Sequence, residues 1–206
     1  MGIANYEDMN TLELDVIKEI GSIGTGNAAT ALSQVLKKTT KMSLPAVYVL
    51  GYNEAIEMVG SPEEIVAAVL VKMSGEINGI MLFILKIDFI NAVLDSVLSK
   101  DIDDYMDLTE LEKSALEEIG NIIISSYVNA MSGLTGVSIK LSIPSIAINM
   151  LGGILSVPMV EFGYETDKLM MINGKFIVDD KVLDSNLLMM PDIQSLNYLM
   201  QKLGVN

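Results

Sequence analysis

Asp15-Val16-Ile17-Lys18-Glu19-Ile20-Gly21-Ser22 recurs later in the chain as Ser114-Ala115-Leu116-Glu117-Glu118-Ile119-Gly120-Asn121. After each copy come 22 residues and then a proline, Pro45 and Pro144, so the offset between copies is constant at 99 residues. Aligning 12–45 on 111–144 gives eleven identities, among them Leu12/Leu111, Glu19/Glu118, Gly21/Gly120, Ser43/Ser142 and Pro45/Pro144. About two identities are expected by chance at ordinary composition. The chain is a duplication, and a repeat of this kind decides the fold before any local signal does.

Both halves read alike. A long helix over about 10–37 and 109–134 is capped by Asn10 or Thr11 and by Asp107 or Thr109. Leu14, Ile17, Ile20, Ala28, Ala31, Leu32 and Val35 recur at helical spacing along the first. A strand follows (41–50 and 138–148), and then a hairpin, 65–73 with 79–85 and 168–172 with 185–190. A closing helix ends each half (88–98 and 192–203), with Asp88 and Asp192 as matching N-caps. The expected fold class is α/β of the α+β kind: pseudo-two-fold helix–strand–hairpin–helix halves sharing one sheet, packed by the two long motif helices. Residues 1–206 are expected to form one domain of two repeats, about 10–100 and 109–204, joined by an acidic surface linker at 100–108. Pro45 and Pro144 fall inside the expected strands, where proline removes a ladder donor and marks an edge, a bulge or a bend.

Composition excludes several chemistries. No cysteine and no histidine are present, which rules out disulfides, thiolate nucleophiles, Cys/His zinc sites and His-based acid–base catalysis. The lack of cysteine fits a cytoplasmic location. A net charge of −14 argues against nucleic-acid or anionic-lipid partners. Two uncharged runs, 119–139 and 141–160, are long enough to cross a bilayer but carry Asn, Ser, Pro and Gly-Gly and lack basic flanks. They read as a buried helix and a buried strand, with no membrane span. The fifteen methionines read as adaptable core packing.

A polar stripe carries the candidate chemistry. Ser114, Glu118, Asn121, Ser125 and Asn129 are spaced 4, 3, 4 and 4 and share one helix face; Asp15, Glu19, Ser22, Gly26 and Thr30 are their counterparts. Such a face is ordinarily just the solvated side of a helix. Here it is duplicated and poor in long charged side chains. It also lies on a helix holding Gly21, Gly24 and Gly26, each costing about 1 kcal/mol relative to alanine. Glycine and serine beside Glu and Asn would let another surface come close. Gly21-Ser22-Ile23-Gly24-Thr25-Gly26 is not a nucleotide-binding loop, since it lies within a helix and lacks the P-loop lysine.

With Asp/Ser-x-x-x-Glu-x-x-Asn in the second copy, the same pattern ending in Ser22 in the first, and the 22-residue gap and proline in both, over nearly the whole chain, the sequence resembles the CheC/CheX/FliY family of chemotaxis phosphatases. The resemblance implies dephosphorylation of the aspartyl phosphate of the response regulator CheY. It implies that Asn121 orients the attacking water, that Glu118 grips a regulator lysine and that Glu19 is the matching grip of the first site. Asp15, Ser114, Pro45 and Pro144 flank the motif. The Mg²⁺ would come from the regulator, with no cofactor of the chain's own. The resemblance also allows two other roles: an adaptor binding the receptor deamidase CheD, or a structural relative of the flagellar switch. Ser22 departs from the family pattern. Its hydroxyl is about two bonds shorter than the amide reach of asparagine, so the first site is expected to be weakened.

Overall fold

The computed structural model describes residues 2–161 and 168–205. In chain order the elements are α1 (Thr11–Leu36), β1 (Thr40–Met42), β2 (Ala46–Gly51), α2 (Tyr52–Val59), β3 (Ile65–Gly75), β4 (Gly79–Leu85) and α3 (Ile87–Leu98). The series then repeats as α4 (Glu110–Thr135), β5 (Ile139–Leu141), β6 (Ser145–Met150), α5 (Leu151–Glu161), β7 (Lys168–Val178), β8 (Lys181–Pro191) and α6 (Ile193–Lys202).

Both motif helices start with a reciprocal cap. Asn10 Oδ1 accepts from the Leu12 and Glu13 amides at 2.9 and 3.1 Å, and Glu13 Oε2 accepts from the Asn10 amide at 2.7 Å. Glu112 Oε2 accepts from the Thr109 amide at 2.7 Å in the same way. This explains why two glutamates can be almost fully buried. Glu112 also receives the Lys100 ammonium, and this ion pair with the hydrogen bonds from the Thr109 amide and hydroxyl holds its carboxyl down at about 2. A depressed carboxyl stabilises the fold above its ordinary value of 4.5, and the contribution fades as pH falls toward about 2. The stability gap between wild type and Glu112→Gln is therefore expected to be constant above about pH 5 and to shrink steadily below it. Denaturant titrations at stepped pH measure this, and a gap indifferent to pH would contradict it.

The eight strands form one antiparallel sheet in the order β1–β7–β8–β4–β3–β5, with β2 also pairing β7 and β6 also pairing β3. The halves are therefore exchanged. Edge strands β1 and β2 of the first half lie against the hairpin of the second, and β5 and β6 of the second lie against the hairpin of the first. The central strands β4 and β8 join the halves, from Gly79↔Pro191 to Ile84↔Asn186. β4 is buried from Ile80 onward and β8 from Ser185 onward, as expected of strands covered on two faces. Phe83, Phe89 and Phe176 meet edge-on and tilted within this core.

The expected strands 41–50 and 138–148 are each broken in two, at the prolines. Ser43 keeps the ladder closed across the break: its amide donates to the Lys175 carbonyl and its Oγ accepts from the Lys175 amide, both at 2.9 Å. Ser142 does the same with Lys72, at 2.9 and 3.0 Å. The repeated Ser-x-Pro is thus a strand break with its own hydrogen-bond repair. The segment 138–148, expected to be buried, is an edge whose exposure alternates along β6.

Other boundaries also moved. The second hairpin runs to Val178 and turns at Asp179-Asp180, with φ of 45° and 70°, the left-handed pair of a two-residue hairpin turn. Asn173-Gly174, the stronger turn signal, stays in β7 opposite Asn186 and Ser185, where Gly174 faces the break at Ser43 and Pro45. Asp192 caps α6 through the Ser195 amide at 2.7 Å. Asp88 does not cap α3: the N-cap is Lys86, and Asp88 sits in the first turn, where a carboxylate favours the helix dipole. The short helices α2 and α5 were not foreseen.

The acidic stretch 100–108 is more than a surface linker, because it repeats the N-terminal strap. A 3-10 turn precedes each motif helix, Tyr6–Asp8 and Tyr105–Asp107. Asn197 holds the backbone of Ile3 with two bonds of 2.7 Å, and Asn91 holds that of Ile102 with two of 2.9 Å. The Tyr6 hydroxyl donates to the Pro191 carbonyl and Tyr105 to that of Leu85, the last residues of β8 and β4. Burial raises both phenols, Tyr105 to about 12. Each strap is therefore held by the opposite half.

Candidate functional site

The motif helices α1 and α4 contact each other and pack on the sheet, each over its own edge strands; α4 also covers the first hairpin, and α1 meets Ile172 of the second at Gly21. The shared glycine of the motif serves this seat. A Cβ on Gly21 would lie 3.6 Å from Ile172 and 3.7 Å from Pro45, and one on Gly120 would come within 2.6 Å of Val69. Gly24 faces the other helix, where a Cβ would lie 2.6 Å from the Tyr127 ring. Of the three glycines in the first motif only Gly26 opens to solvent. Gly21 and Gly24 are packing devices and offer no landing place for another surface.

The polar stripes lie on the opposite side of each helix. Asp15, Glu19, Gly26 and Thr30 are exposed and Ser22 half-buried; Ser114, Glu118 and Asn129 are exposed and Asn121 and Ser125 half-buried. The structure thus puts every stripe residue of a copy on one open face.

The neighbours of the key glutamates are occupied with structure. Glu117 Oε1 accepts from the Ile146 amide at 3.0 Å and ties α4 to the edge strand β6. Asp15 pairs with Lys18 at 2.7 Å. Glu19 and Glu118, by contrast, take part in no hydrogen bond or ion pair among the described residues. Pro45 is buried under Gly21, and Pro144 is half-buried.

Asn121 has a neighbour whose role sequence reading left unassigned. Ser125 Oγ donates to Asn121 Oδ1 over a long 3.5 Å. The i, i+4 spacing was the available signal. In the first copy both members are gone, replaced by Ser22 and Gly26. The second copy alone has an amide and a hydroxyl able to orient it. No three Asp or Glu side chains gather to hold a metal ion among the described residues. No helix among those residues is long and apolar enough to cross a membrane.

The model of the CheC-like family matches the chain twice, at residues 12–49 and 111–148, each match running from the motif helix through the strand break into the edge strand. The CheY-P phosphatase CheC of Bacillus subtilis is 27% identical over 198 residues, covering 94% of this chain and 95% of that protein. Among solved structures, Thermotoga maritima FliY matches with a TM-score of 0.74 at 20% identity, over 95% of this chain and 98% of that one. The FliM middle domain of H. pylori matches with a TM-score of 0.71 at 14% identity, over 94% and 99%. The fold is therefore shared with FliY and with the FliM middle domain.

Proposed function

We propose that this protein hydrolyses the aspartyl phosphate of a CheY-type response regulator, with Asn121 as the residue that orients the water. The observation that carries the reading is an open helix face on which an unengaged Glu118 stands one turn from an amide with a hydroxyl beside it. The near-full-length relative named as a CheY-P phosphatase supports the substrate class.

The chemistry asks little of the added protein. Water attacks phosphorus, the bond from phosphorus to the aspartyl oxygen breaks, and inorganic phosphate, a free carboxylate and a proton result. A carboxamide can accept one hydrogen of the water through its oxygen and donate through its NH₂, fixing the attack line without any shifted pKa. The charge on the phosphoryl oxygens is carried by Mg²⁺, which the regulator supplies. Glu118 supplies an exposed carboxylate for a lysine beside the phosphoaspartate. A flagellar-switch role shares the fold, and it gives no account of why Asn121 and Ser125 occur together on the open face.

The test is loss of phosphate from a response regulator charged with acetyl phosphate in Mg²⁺. Wild type is expected to accelerate it. Glu118→Ala is expected to raise KM with a smaller change in kcat, since Glu118 grips and does not react. No acceleration by wild type, with tight binding to a receptor deamidase of the CheD type, would favour the adaptor role instead.

A further inference from the structure

We propose that Leu111 and Ile143 are apolar anchors that hold the partner over Asn121, an assignment that rests on the phosphatase reading above. Leu111 is 67% exposed and Ile143 90% exposed. Their counterparts at the same offset, Leu12 and Leu44, are 57% and 84% exposed. A single exposed leucine means nothing. Three positions of the aligned repeat stay apolar and exposed in both copies; Val35 and Leu134, at 41% and 43%, lie at the far end of the motif helices, whereas these two pairs, the more exposed, lie at the motif end.

Their placement gives the reason. Leu111 opens the stripe itself, since 111, 114, 118, 121 and 125 are spaced 3, 4, 3 and 4. Ile143 stands at the strand break just before Pro144, beside the turn of α4 that carries Asn121. Neighbouring contacts and the repeat support this placement: Glu117 accepts from the Ile146 amide at 3.0 Å, tying β6 to this part of α4, and in the first copy Pro45 lies 3.7 Å from a Cβ built on Gly21, the counterpart of Gly120. One anchor lies along the helix from Glu118 and Asn121, and the other across from them. An exposed carboxylate contributes little affinity alone. Apolar side chains that become covered on docking supply it and exclude water around the polar pair. The occupant proposed is the phosphorylated regulator, which would seat apolar side chains on Leu111 and Ile143 and a lysine on Glu118. The first copy keeps Leu12, Leu44 and Glu19, so it retains the docking half of the surface without the amide.

The test uses the full chain and the same charged regulator. Leu111→Ser and Ile143→Ser are each expected to raise KM about tenfold or more and to leave kcat within about twofold. Val182→Ser, at a 58% exposed position beside the Asp179-Asp180 turn, is the control and is expected to change neither. All three should melt with wild type. KM within about twofold of wild type for both anchor variants, or a fall in kcat with KM unchanged, overturns the proposal. If wild type does not hydrolyse the regulator, the phosphatase reading falls and direct titration decides the anchors. A Kd weakened by Ile143→Ser would uphold them; no binding, or an unmoved Kd, would overturn them.

Discussion

Asn121→Ala is expected to lower kcat by about a hundredfold or more, because a water no longer held in line loses the orientation the site provides. Ser22→Ala is expected to change turnover little. Position 22 lacks the amide, and Gly26 lacks the hydroxyl that Ser125 offers Asn121. Equal losses from the two substitutions would remove the asymmetry argued here. The asymmetry also has a constructive test. In an Asn121→Ala background, Ser22→Asn with Gly26→Ser rebuilds the pair on α1, where Glu19 is already free. Partial recovery of phosphate release is expected. Failure of a well-folded triple variant to recover any would show that the first copy has diverged beyond these two positions. Ser125→Ala is a milder companion: the contact is long, so a modest fall in kcat is the expected result.

The second large effect concerns stability. Gly24→Val is expected to cost about 3 kcal/mol, at the upper end of what overpacking does. A Cβ at Gly24 would lie 2.6 and 2.7 Å from the Tyr127 ring and 2.9 Å from its Cα, so the backbones of α1 and α4 would have to separate. The ring cannot swing clear, since it is buried and its hydroxyl is 2.9 Å from Thr25 Oγ1. In a chain of this size the loss corresponds to a melting point lower by about 6–12 °C. Gly26→Ala, with nothing within 4 Å of its Cβ, is expected to gain up to about 1 kcal/mol from helix propensity. An unchanged melting point for Gly24→Val would mean that the helices are not packed as described. The tight contact breaks the internal symmetry by exchange of size: the counterparts of Gly24 and Tyr127 are Ile123 and Ala28, small facing large in each case.

The repeat made the two motif helices, their caps and the first hairpin legible, because each rests on local spacing and on side chains near in sequence. The stripe was legible for the same reason. The rest depends on contacts that a linear reading does not contain. Asn173-Gly174 has the residues of a turn, yet it stays extended because pairing with β8 and the approach of the strand break outweigh local preference. The acidic composition of 100–108 concealed the strap, whose signal is only Tyr-x-Asp in register with Tyr6 and Asp8. Helix α5 was missed because Gly152-Gly153 and Pro158 read as breaks. The exchange of edge strands leaves no trace in either half alone. Motif glycines looked like part of a binding face, and only the packing of Gly21 against Ile172 and of Gly24 against Tyr127 assigns them to the interior.

If the second copy carries the chemistry as proposed, that exchange offers a reason for the first half to persist. The hairpin β3–β4 of the first half is the floor under α4, and Asn91 and Leu85 hold the strap that leads into it. On that reading Ser22 and Gly26 could change without loss, because the first half still supplies the ground on which Asn121 stands. After a duplication of this kind, the partner that retires from chemistry stays on as scaffold, and its surface becomes available to drift toward other uses.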